Sequence, residues 1–243
     1  MKVAVIGGGI AGLTTAIALK QVGVSCDIFE AAPAIKPLGA GLTLAANAIK
    51  ALAKLGLAEE ILVQGKLIKA FNILDQKGKI ITQTNSSVFQ AEYGADNFAI
   101  HRADLHQVLL SRISLDNLHL NKQIQRLEQK NSKVILHFSD DTTTETDYLL
   151  ACDGIHSAVR KIVRPEAAPR YAGYTCWRAV VDMPHLSHTE AIETWGPEGR
   201  FGMVPVSQGR IYYFACLSVP KPNSDLKNFR ISHLIQQFKE YHS

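Results

Sequence analysis

Apolar positions change period close to the N-terminus of the chain. Residues 3–6 are apolar and mostly β-branched, three glycines follow, and an Ala/Leu-rich segment continues with helical spacing. Strands favour β-branched residues, whereas helices repeat apolar positions every three or four residues. The pattern predicts a strand, a tight turn and a helix that ends at Gly23, and then a second strand over residues 24–29.

The same patterning predicts the elements that follow. We expect an amphipathic helix over 43–55, a β-hairpin built from FNILD and IITQT around a QKGK turn, a helix beginning at Asp104 and a short strand near Leu118. Consecutive strands are predicted for QIQRLEQ, KVILHFS and TETDYLLACDG. Beyond Pro165 the predicted strands are YAGYTCWRAVVDM, EAIETWG, RFGMVPV and RIYYFACLSVP. Their Gly, Pro and Ser turns favour an antiparallel sheet, and residues 226–241 return to helical spacing.

This order of elements predicts an α/β protein with two domains, each built from two segments of the chain. Residues 1–70 and 98–166 are assigned to a nucleotide-binding domain. Residues 71–97 and 167–243 are assigned to a β-rich second domain with a mainly antiparallel sheet.

The turn after the first strand carries candidate chemistry. Gly7, Gly9 and Gly12 form a G-x-G-x-x-G pattern, which allows a sharp turn, close approach of a pyrophosphate and tight packing of the helix. Simple loop chemistry is the alternative for the glycines. Glu30 ends the second strand, where a carboxylate accepts hydrogen bonds from an adenosine ribose, although a solvated acid would also fit there. Together they predict FAD or NAD, and Glu30 argues against a 2′-phosphate.

Composition fits a globular chain and argues against several classes of binding partner. The chain has 243 residues, 47% of them hydrophobic, a net charge of +4 and four cysteines far apart in sequence. We expect reduced thiols, no metal site, no nucleic-acid binding and no stable membrane insertion, because basic runs, C-x-x-C pairs and long apolar segments are absent from the sequence. A first strand that starts at once leaves no room for a signal peptide, so a cytoplasmic location is expected.

Four stretches stand in the order found in one enzyme family. They are GGGIAG with Glu30, LGAG at 38–41, HRADL at 101–105 and ACDGIHSAVR at 151–160. Together they resemble the class A flavoprotein monooxygenases, the FAD-dependent aromatic hydroxylases that include para-hydroxybenzoate hydroxylase. The resemblance implies a Rossmann-like FAD-binding domain of the GR2 type and a β-rich substrate domain.

The resemblance also implies roles for individual residues. Arg102 would contact the flavin side of FAD near the pyrophosphate, and Asp153 would lie near the pyrophosphate and ribityl chain. A helix-capping arginine, or one paired with Asp104, and a plain Asp-Gly turn are the alternatives. With the glycine motif, the candidate FAD contacts are Gly7, Gly9, Ile10, Ala11, Gly12, Glu30, Ala31, Lys36, Gly41, Arg102, Ile124, Asp153 and Gly154.

Aromatic residues of the predicted sheet are the candidate substrate lining. Strand alternation requires that some of them face away from any substrate. Arg178 or Arg210 would pair with a substrate carboxylate, although either would also suit a surface. We assign no catalytic acid or base. The candidate lining residues are Tyr174, Trp177, Trp195, Phe201, Met203, Tyr212 and Phe214.

The function implied by the resemblance is that of an FAD-dependent monooxygenase using NAD(P)H and O₂. It would hydroxylate or epoxidise an aromatic or polycyclic small molecule through a flavin C4a-hydroperoxide. The family's later Gly-Asp stretch, which contacts the flavin, does not occur in these residues, so we expect a chain that lacks the family's C-terminal part. Without that part an apolar face of the chain would be exposed. A second copy of the chain, in a homo-oligomer, or the missing C-terminal fragment would then cover that face. A non-catalytic FAD-binding or nucleotide-binding remnant and an NAD-dependent dehydrogenase remain as alternatives.

Overall fold

The computed structural model describes residues 1–36, 39–94, 96–185 and 189–242, except for the side chains of Phe89 and Tyr93. Its strands are β1 (Val3–Ile6), β2 (Cys26–Phe29), β3 (Gly41–Leu44), β4 (Lys66–Leu67), β5 (Ala70–Asp75), β6 (Ile80–Asn85), β7 (Phe98–His101), β8 (Leu118–His119), β9 (Ile124–Lys130), β10 (Lys133–Phe138), β11 (Thr143–Thr146), β12 (Tyr148–Ala151), β13 (Tyr174–Asp182), β14 (Glu190–Gly196), β15 (Gly199–Val206) and β16 (Arg210–Ser218). Its α-helices are α1 (Ile10–Gln21), α2 (Ala46–Lys54), α3 (Ala58–Gln64), α4 (Ser86–Tyr93), α5 (Arg102–Leu110), α6 (Ala158–Val163) and α7 (Ile231–Gln237). Short 3₁₀ helices span Leu115–Asn117 and Ser224–Asn228.

The chain forms two compact units with boundaries that differ from the predicted ones. The first unit contains residues 1–37 and 105–170, and the second contains 38–104 and 171–243. Residues 38–70 and 98–104, which the sequence assigns to the first domain, belong to the second unit, where β3 and β4 both pair with β7. The assignment of cofactor binding to one domain and substrate binding to the other stays a prediction.

The first unit is built on a parallel sheet in the order β12, β1, β2, β8. Every residue of β1 is buried, as expected for the middle of a parallel sheet, and α1 connects it to β2. Beside it lies an antiparallel sheet in the order β11, β10, β9. The predicted strand, turn, helix and strand at the N-terminus are confirmed, and Gly23 follows the helix with φ of +76°.

The second unit is built on a six-stranded sheet in the order β13, β16, β15, β14, β5, β6. All its neighbouring strands are antiparallel except β14 and β5, which are parallel. The mainly antiparallel sheet and the β5–β6 hairpin are therefore confirmed. A second sheet in the order β3, β7, β4 completes this unit.

Several element boundaries differ from the sequence prediction, and the strand predicted for TETDYLLACDG is divided into β11 and β12, which belong to different sheets. Residues 43 and 44 belong to β3 rather than to the following helix, because they pair with β7. The helix predicted from Asp104 begins two residues earlier, and that predicted over 226–241 is limited to α7. The polar stretch after Asn85 forms α4, where the Asn85 side chain accepts a hydrogen bond from Ser87 N–H and caps the helix.

Among the described residues, no helix combines the length and the apolar character that crossing a membrane requires.

Candidate functional site

The glycine turn after β1 is packed so closely that two of its positions exclude a side chain. Gly7 has φ of +106°, and a Cβ added there would lie 2.5 Å from the Cys152 carbonyl oxygen. A Cβ on Gly12 would lie 1.8 Å from the carbonyl oxygen of Gly7. These glycines let α1 pack directly against the turn, as the motif predicts.

Gly9 differs because nothing lies within 4 Å of a Cβ built on it. It is the N-cap residue of the 12-residue helix α1, and it has no side chain with which to cap the helix. The N–H groups of a first helical turn and the positive end of the helix dipole favour an anion. The open space beside Gly9 therefore fits a phosphate-bearing ligand, and a larger residue would fill it.

Glu30 holds the glycine turn from the end of β2. One carboxylate oxygen accepts a hydrogen bond from Gly8 N–H at 2.7 Å, and the other accepts one from Ala32 N–H at 2.8 Å. Each carboxylate oxygen has a further lone pair. Glu30 can therefore accept a hydroxyl hydrogen bond without giving up the two backbone contacts.

These residues line a cavity of about 350 Å³ in the first unit. The cavity brings together seven of the residues predicted to bind FAD, and the side chains of Lys122 and His156 join them without having been predicted. The predicted residues in this cavity are Gly7, Gly9, Glu30, Ala31, Ile124, Asp153 and Gly154.

Asp153 has a structural task as well as a place on the cavity wall. Its carboxylate accepts hydrogen bonds from Ser157 Oγ at 2.6 Å and from Val159 N–H at 3.2 Å, which anchors the start of α6. Gly154 follows with φ of +78°. Asp153 can therefore form the Asp-Gly turn and also lie beside the predicted cofactor.

His106 supports the glycine turn, and no sequence pattern predicts this contact. Its Nε2 lies 2.7 Å from the carbonyl oxygen of Gly8, which is the hydrogen-bond acceptor. The two residues are 98 positions apart, and a single histidine in α5 belongs to no recognisable motif. Gly8 is thus held at its N–H by Glu30 and at its carbonyl by His106.

The remaining predicted FAD contacts lie outside that cavity's lining. Ile10, Ala11 and Gly12 form the first turn of α1, and Lys36 is exposed. Gly41 belongs to the second unit, where a Cβ would lie 2.3 Å from the Tyr212 ring. Arg102 packs there against Gly39, and its N–H donates to the Ala40 carbonyl at 2.9 Å.

One face of the six-stranded sheet forms a second cavity, of about 330 Å³. Alternation along each strand and the register between strands bring its residues to the same side. It contains three predicted lining residues, Tyr174, Tyr212 and Phe214, and the predicted carboxylate partner Arg178. Further lining residues are Gly41, Leu42, Thr43, Phe71, Cys176, Glu193, Arg200, Val204 and Cys216.

The other predicted lining residues are outside this cavity's lining. Trp177, Phe201 and Met203 alternate with the cavity residues and point to the opposite face of the sheet. There Trp177 stacks on Phe229 at 5.4 Å between ring centroids, and Phe201 lies 6.2 Å from the Phe238 ring. The segment around α7 therefore covers that face.

Trp195 and Arg210 also lie outside the second cavity's lining. Trp195 lines a neighbouring cavity of about 370 Å³ together with Tyr174. Arg210 donates a hydrogen bond to the Asp104 carboxylate at 2.6 Å and is only 16% exposed. Asp104 already neutralises Arg210, whereas Arg178 lines the second cavity.

Tyr212 joins the floor of the second cavity to β3. Burial raises the pKa of its phenol, so the hydroxyl stays protonated at neutral pH and can donate a hydrogen bond. Its ring also lies against Phe214, at 5.7 Å between centroids.

Comparison with known proteins identifies the family of the chain. The sequence profile of the FAD binding domain family matches residues 1–243. The chain belongs to the FAD binding domain family. FAD is therefore its cofactor.

Curated relatives of this FAD-binding chain are named as oxygenases. Aurachin C monooxygenase/isomerase of Stigmatella aurantiaca is 35% identical over 244 residues, covering 100% of this chain and 63% of that protein. FAD-dependent urate hydroxylase of Klebsiella pneumoniae is 35% identical over 228 residues, covering 91% of this chain and 58% of that protein. The chain thus spans about three fifths of the length of these relatives.

Solved structures agree with this family membership. Klebsiella pneumoniae HpxO complexed with FAD and uric acid superposes with a TM-score of 0.90 and 30% identity, covering 100% of this chain and 62% of HpxO. A salicylate hydroxylase substrate complex superposes with a TM-score of 0.80 at 24% identity, covering 99% of this chain and 63% of that one. The second likeness extends the shared fold to a more distant protein.

Proposed function

We propose that this chain provides the FAD-binding unit and the substrate-binding sheet of a monooxygenase. The enzyme uses NAD(P)H and O₂ to hydroxylate or epoxidise an aromatic or polycyclic small molecule. The observation that carries the proposal is the cavity in which the glycine turn, Glu30 and Asp153 meet. Family membership favours FAD over the alternative of an NAD-dependent dehydrogenase.

Residues of the first unit would hold the cofactor. The first turn of α1 would bind the pyrophosphate in the open space beside Gly9, and Glu30 would accept hydrogen bonds from the adenosine ribose. Bound FAD would supply the hydride and oxygen chemistry that side chains cannot perform. The protein would fix the position of the cofactor. The Gly8 backbone, which belongs to the glycine turn, is itself held by hydrogen bonds to Glu30 and His106.

The cavity on the sheet would hold the substrate. Tyr212 and Phe214 offer aromatic surface to a planar ring, and the protonated Tyr212 hydroxyl can donate to a polar substituent. Arg178 adds a guanidinium group on the same wall, whereas the Arg200 guanidinium is paired with the Glu193 carboxylate at 3.5 Å. This combination suits an aromatic ring that carries a carboxylate or another anionic group.

The names of the relatives agree with a substrate of that kind. One is an FAD-dependent urate hydroxylase, and another is 3-amino-4-hydroxybenzoate 2-monooxygenase of Streptomyces cremeus, 35% identical over 230 residues. Benzoates carry a carboxylate on an aromatic ring, and urate is a planar anion at neutral pH. For this chain we propose the same chemical class.

Two measurements test the proposal. Titration with FAD should produce the visible absorption bands of protein-bound oxidised flavin. Oxidation of NADH or NADPH should then speed up in the presence of hydroxybenzoates, urate or hydroxyquinolones, with one atom of isotope-labelled O₂ appearing in the product. If FAD binds saturably but no product of these substrates contains the oxygen isotope, the proposed reaction is overturned. If FAD does not bind, the proposed cofactor site is overturned.

A further inference from the structure

Two cysteines that are 40 positions apart in sequence face each other in the six-stranded sheet. Cys176 of β13 is the direct register partner of Cys216 of β16. Three residues along each strand, Val219 N–H donates to the Gly173 carbonyl at 2.8 Å, which marks a hydrogen-bonded pair. Hydrogen-bonded and non-hydrogen-bonded pairs alternate in antiparallel sheets, so the cysteines form a non-hydrogen-bonded pair.

Such a pair has the backbone spacing that a disulfide needs. Directly opposed residues in a non-hydrogen-bonded pair have Cα atoms about 4.5 Å apart, and disulfides join Cα atoms about 4.4–6.8 Å apart. Both residues are free thiols and lie on the same face of the sheet. Linking them therefore requires little movement of either strand.

The surroundings of the pair also suit thiol chemistry. Both sulfurs line the cavity on the sheet, so a small reagent can reach them from it. Arg178 is two residues from Cys176 on the same face of β13, and Arg200 of β15 is the register partner of Cys216. Reactive cysteines are found in partly exposed surroundings that contain such cations.

We propose that Cys176 and Cys216 are a modification site at which a peroxide oxidises two thiols to one disulfide. The inference is independent of FAD binding and of the proposed monooxygenase reaction. The oxidant class is hydrogen peroxide or an organic hydroperoxide. The product is a covalent link between the edge strand β13 and the neighbouring β16.

The chemistry takes two steps. The Cys176 thiolate attacks one oxygen of hydrogen peroxide, an S–O bond forms, the O–O bond breaks, and the leaving hydroxide combines with the thiol proton as water. The Cys216 sulfur then attacks the sulfenic sulfur of Cys176, the S–S bond forms, the S–O bond breaks, and a second water leaves with the Cys216 proton. The two thiols lose two electrons and two protons, and one peroxide becomes two waters.

The order of attack follows from burial. Cys216 is 6% exposed, and burial raises the pKa of its thiol, so less of it is thiolate at neutral pH. Cys176 is only half-buried. We therefore assign Cys176 as the thiol that meets the peroxide and Cys216 as the thiol that resolves the sulfenic acid.

Mass spectrometry of the unmodified protein tests the proposal directly. The reduced chain is freed of reductant, treated with hydrogen peroxide, alkylated with a maleimide and digested with trypsin. Peroxide should remove two alkylatable thiols and link the peptides 171–178 and 211–227, and dithiothreitol should reverse both changes. Four thiols that stay alkylatable, or a disulfide that joins other cysteines or two chains, would overturn the proposal.

Variants test the order of the two steps. Cys216→Ser should accumulate a sulfenic acid at position 176 that dimedone traps, whereas Cys176→Ser should show neither the adduct nor the link. Cys26→Ser, which changes a cysteine of the first unit, should form the link as the unmodified chain does. A dimedone adduct mainly on Cys216 in the Cys176→Ser variant, with none on Cys176 in Cys216→Ser, would overturn the assigned order.

Discussion

Glu30 accepts a hydrogen bond from the N–H of Gly8 at 2.7 Å, which joins the end of β2 to the glycine turn after β1. The second carboxylate oxygen is bound to Ala32 N–H at 2.8 Å. Glu30 is therefore oriented by the backbone on both sides before any ligand arrives. A ligand that hydrogen-bonds to it meets a carboxylate whose rotamer is already fixed.

The first prediction concerns the charge of that carboxylate. In Glu30→Gln the amide NH₂ replaces one acceptor, so one of the two backbone N–H groups faces a donor and the ribose meets a neutral partner. FAD affinity should fall by about 1–3 kcal/mol, the scale of a hydrogen bond to a charged group. Titration followed by flavin fluorescence measures it, with the exposed Glu59→Gln as the matched control. Equal affinities for the two variants would contradict the ribose role.

The second prediction concerns His106, a positioning residue that acts through Gly8. His106→Phe leaves the buried Gly8 carbonyl without its donor, whereas His106→Gln keeps an N–H that can reach it. FAD affinity should fall about 2–10-fold in the Phe variant, the scale of one neutral hydrogen bond, and should recover in the Gln variant. Melting temperatures of both variants without FAD show whether either substitution also destabilises the fold. A loss of affinity that Gln does not restore would point to packing rather than to the hydrogen bond.

The glycine motif and Glu30 could be predicted because their chemistry is local in the sequence. Gly7 and Gly12 are needed by a turn and a helix only five residues apart, and Glu30 follows at the end of the next strand. His106 could not be predicted, since its partner Gly8 lies 98 residues away and one histidine carries no pattern. Lys122 could not be predicted either, because only the folded chain brings it to the cavity that Gly7, Gly9 and Glu30 line.

The six-stranded sheet shows a second limit of sequence reasoning. Strand alternation divides aromatic residues between two faces, but it does not say which face is covered. Phe201 and Phe214 are equivalent by sequence, but Phe238, directly after α7, lies against Phe201, whereas Phe214 lines the second cavity. The pairing of Cys176 with Cys216 likewise depends on the register of two strands, which neither segment specifies alone.

The third prediction is a pH dependence of Asp140, whose partner Lys122 lines the cavity beside Gly9 and Glu30. A hydrogen bond from Lys122, followed by one from Thr142, lowers the pKa of Asp140 from 3.8 to about 2. A lowered pKa in the folded state stabilises the fold above the unfolded pKa, and this stabilisation is lost as the pH falls from about 4 to about 2. Lys122→Met should raise the pKa of Asp140 towards 3.8, measured by NMR titration. An unchanged pKa would show that Lys122 does not hold the carboxylate in solution.

The fourth prediction tests Arg178 as the partner of a substrate anion. Arg178→Gln should raise KM for carboxylate-bearing aromatics about 10–100-fold, since a charge-assisted hydrogen bond is lost, and should leave KM for neutral phenols unchanged. Initial rates of NAD(P)H oxidation measure both. The exposed Arg170→Gln is the control for a general loss of positive charge. Equal effects on anionic and neutral substrates would remove the anion-pairing role.

The last prediction separates the two tasks of the glycine turn with a matched pair of variants. Gly12→Ala places a Cβ 1.8 Å from the Gly7 carbonyl oxygen, a backbone atom that cannot move away without shifting β1 or α1. Its free energy of unfolding should fall by about 3 kcal/mol or more, as for severe overpacking.

Gly9→Ala should behave in the opposite way. Nothing lies within 4 Å of the added Cβ, and the backbone φ of −79° suits alanine, so stability should stay within about 0.5 kcal/mol of the unmodified protein. The methyl group would occupy the space assigned to the pyrophosphate, and FAD affinity should fall at least about tenfold, or 1.4 kcal/mol. Urea unfolding and FAD titration of both variants decide between these outcomes. A Gly9→Ala protein that is stable and binds FAD normally would move the pyrophosphate away from the N-terminus of α1.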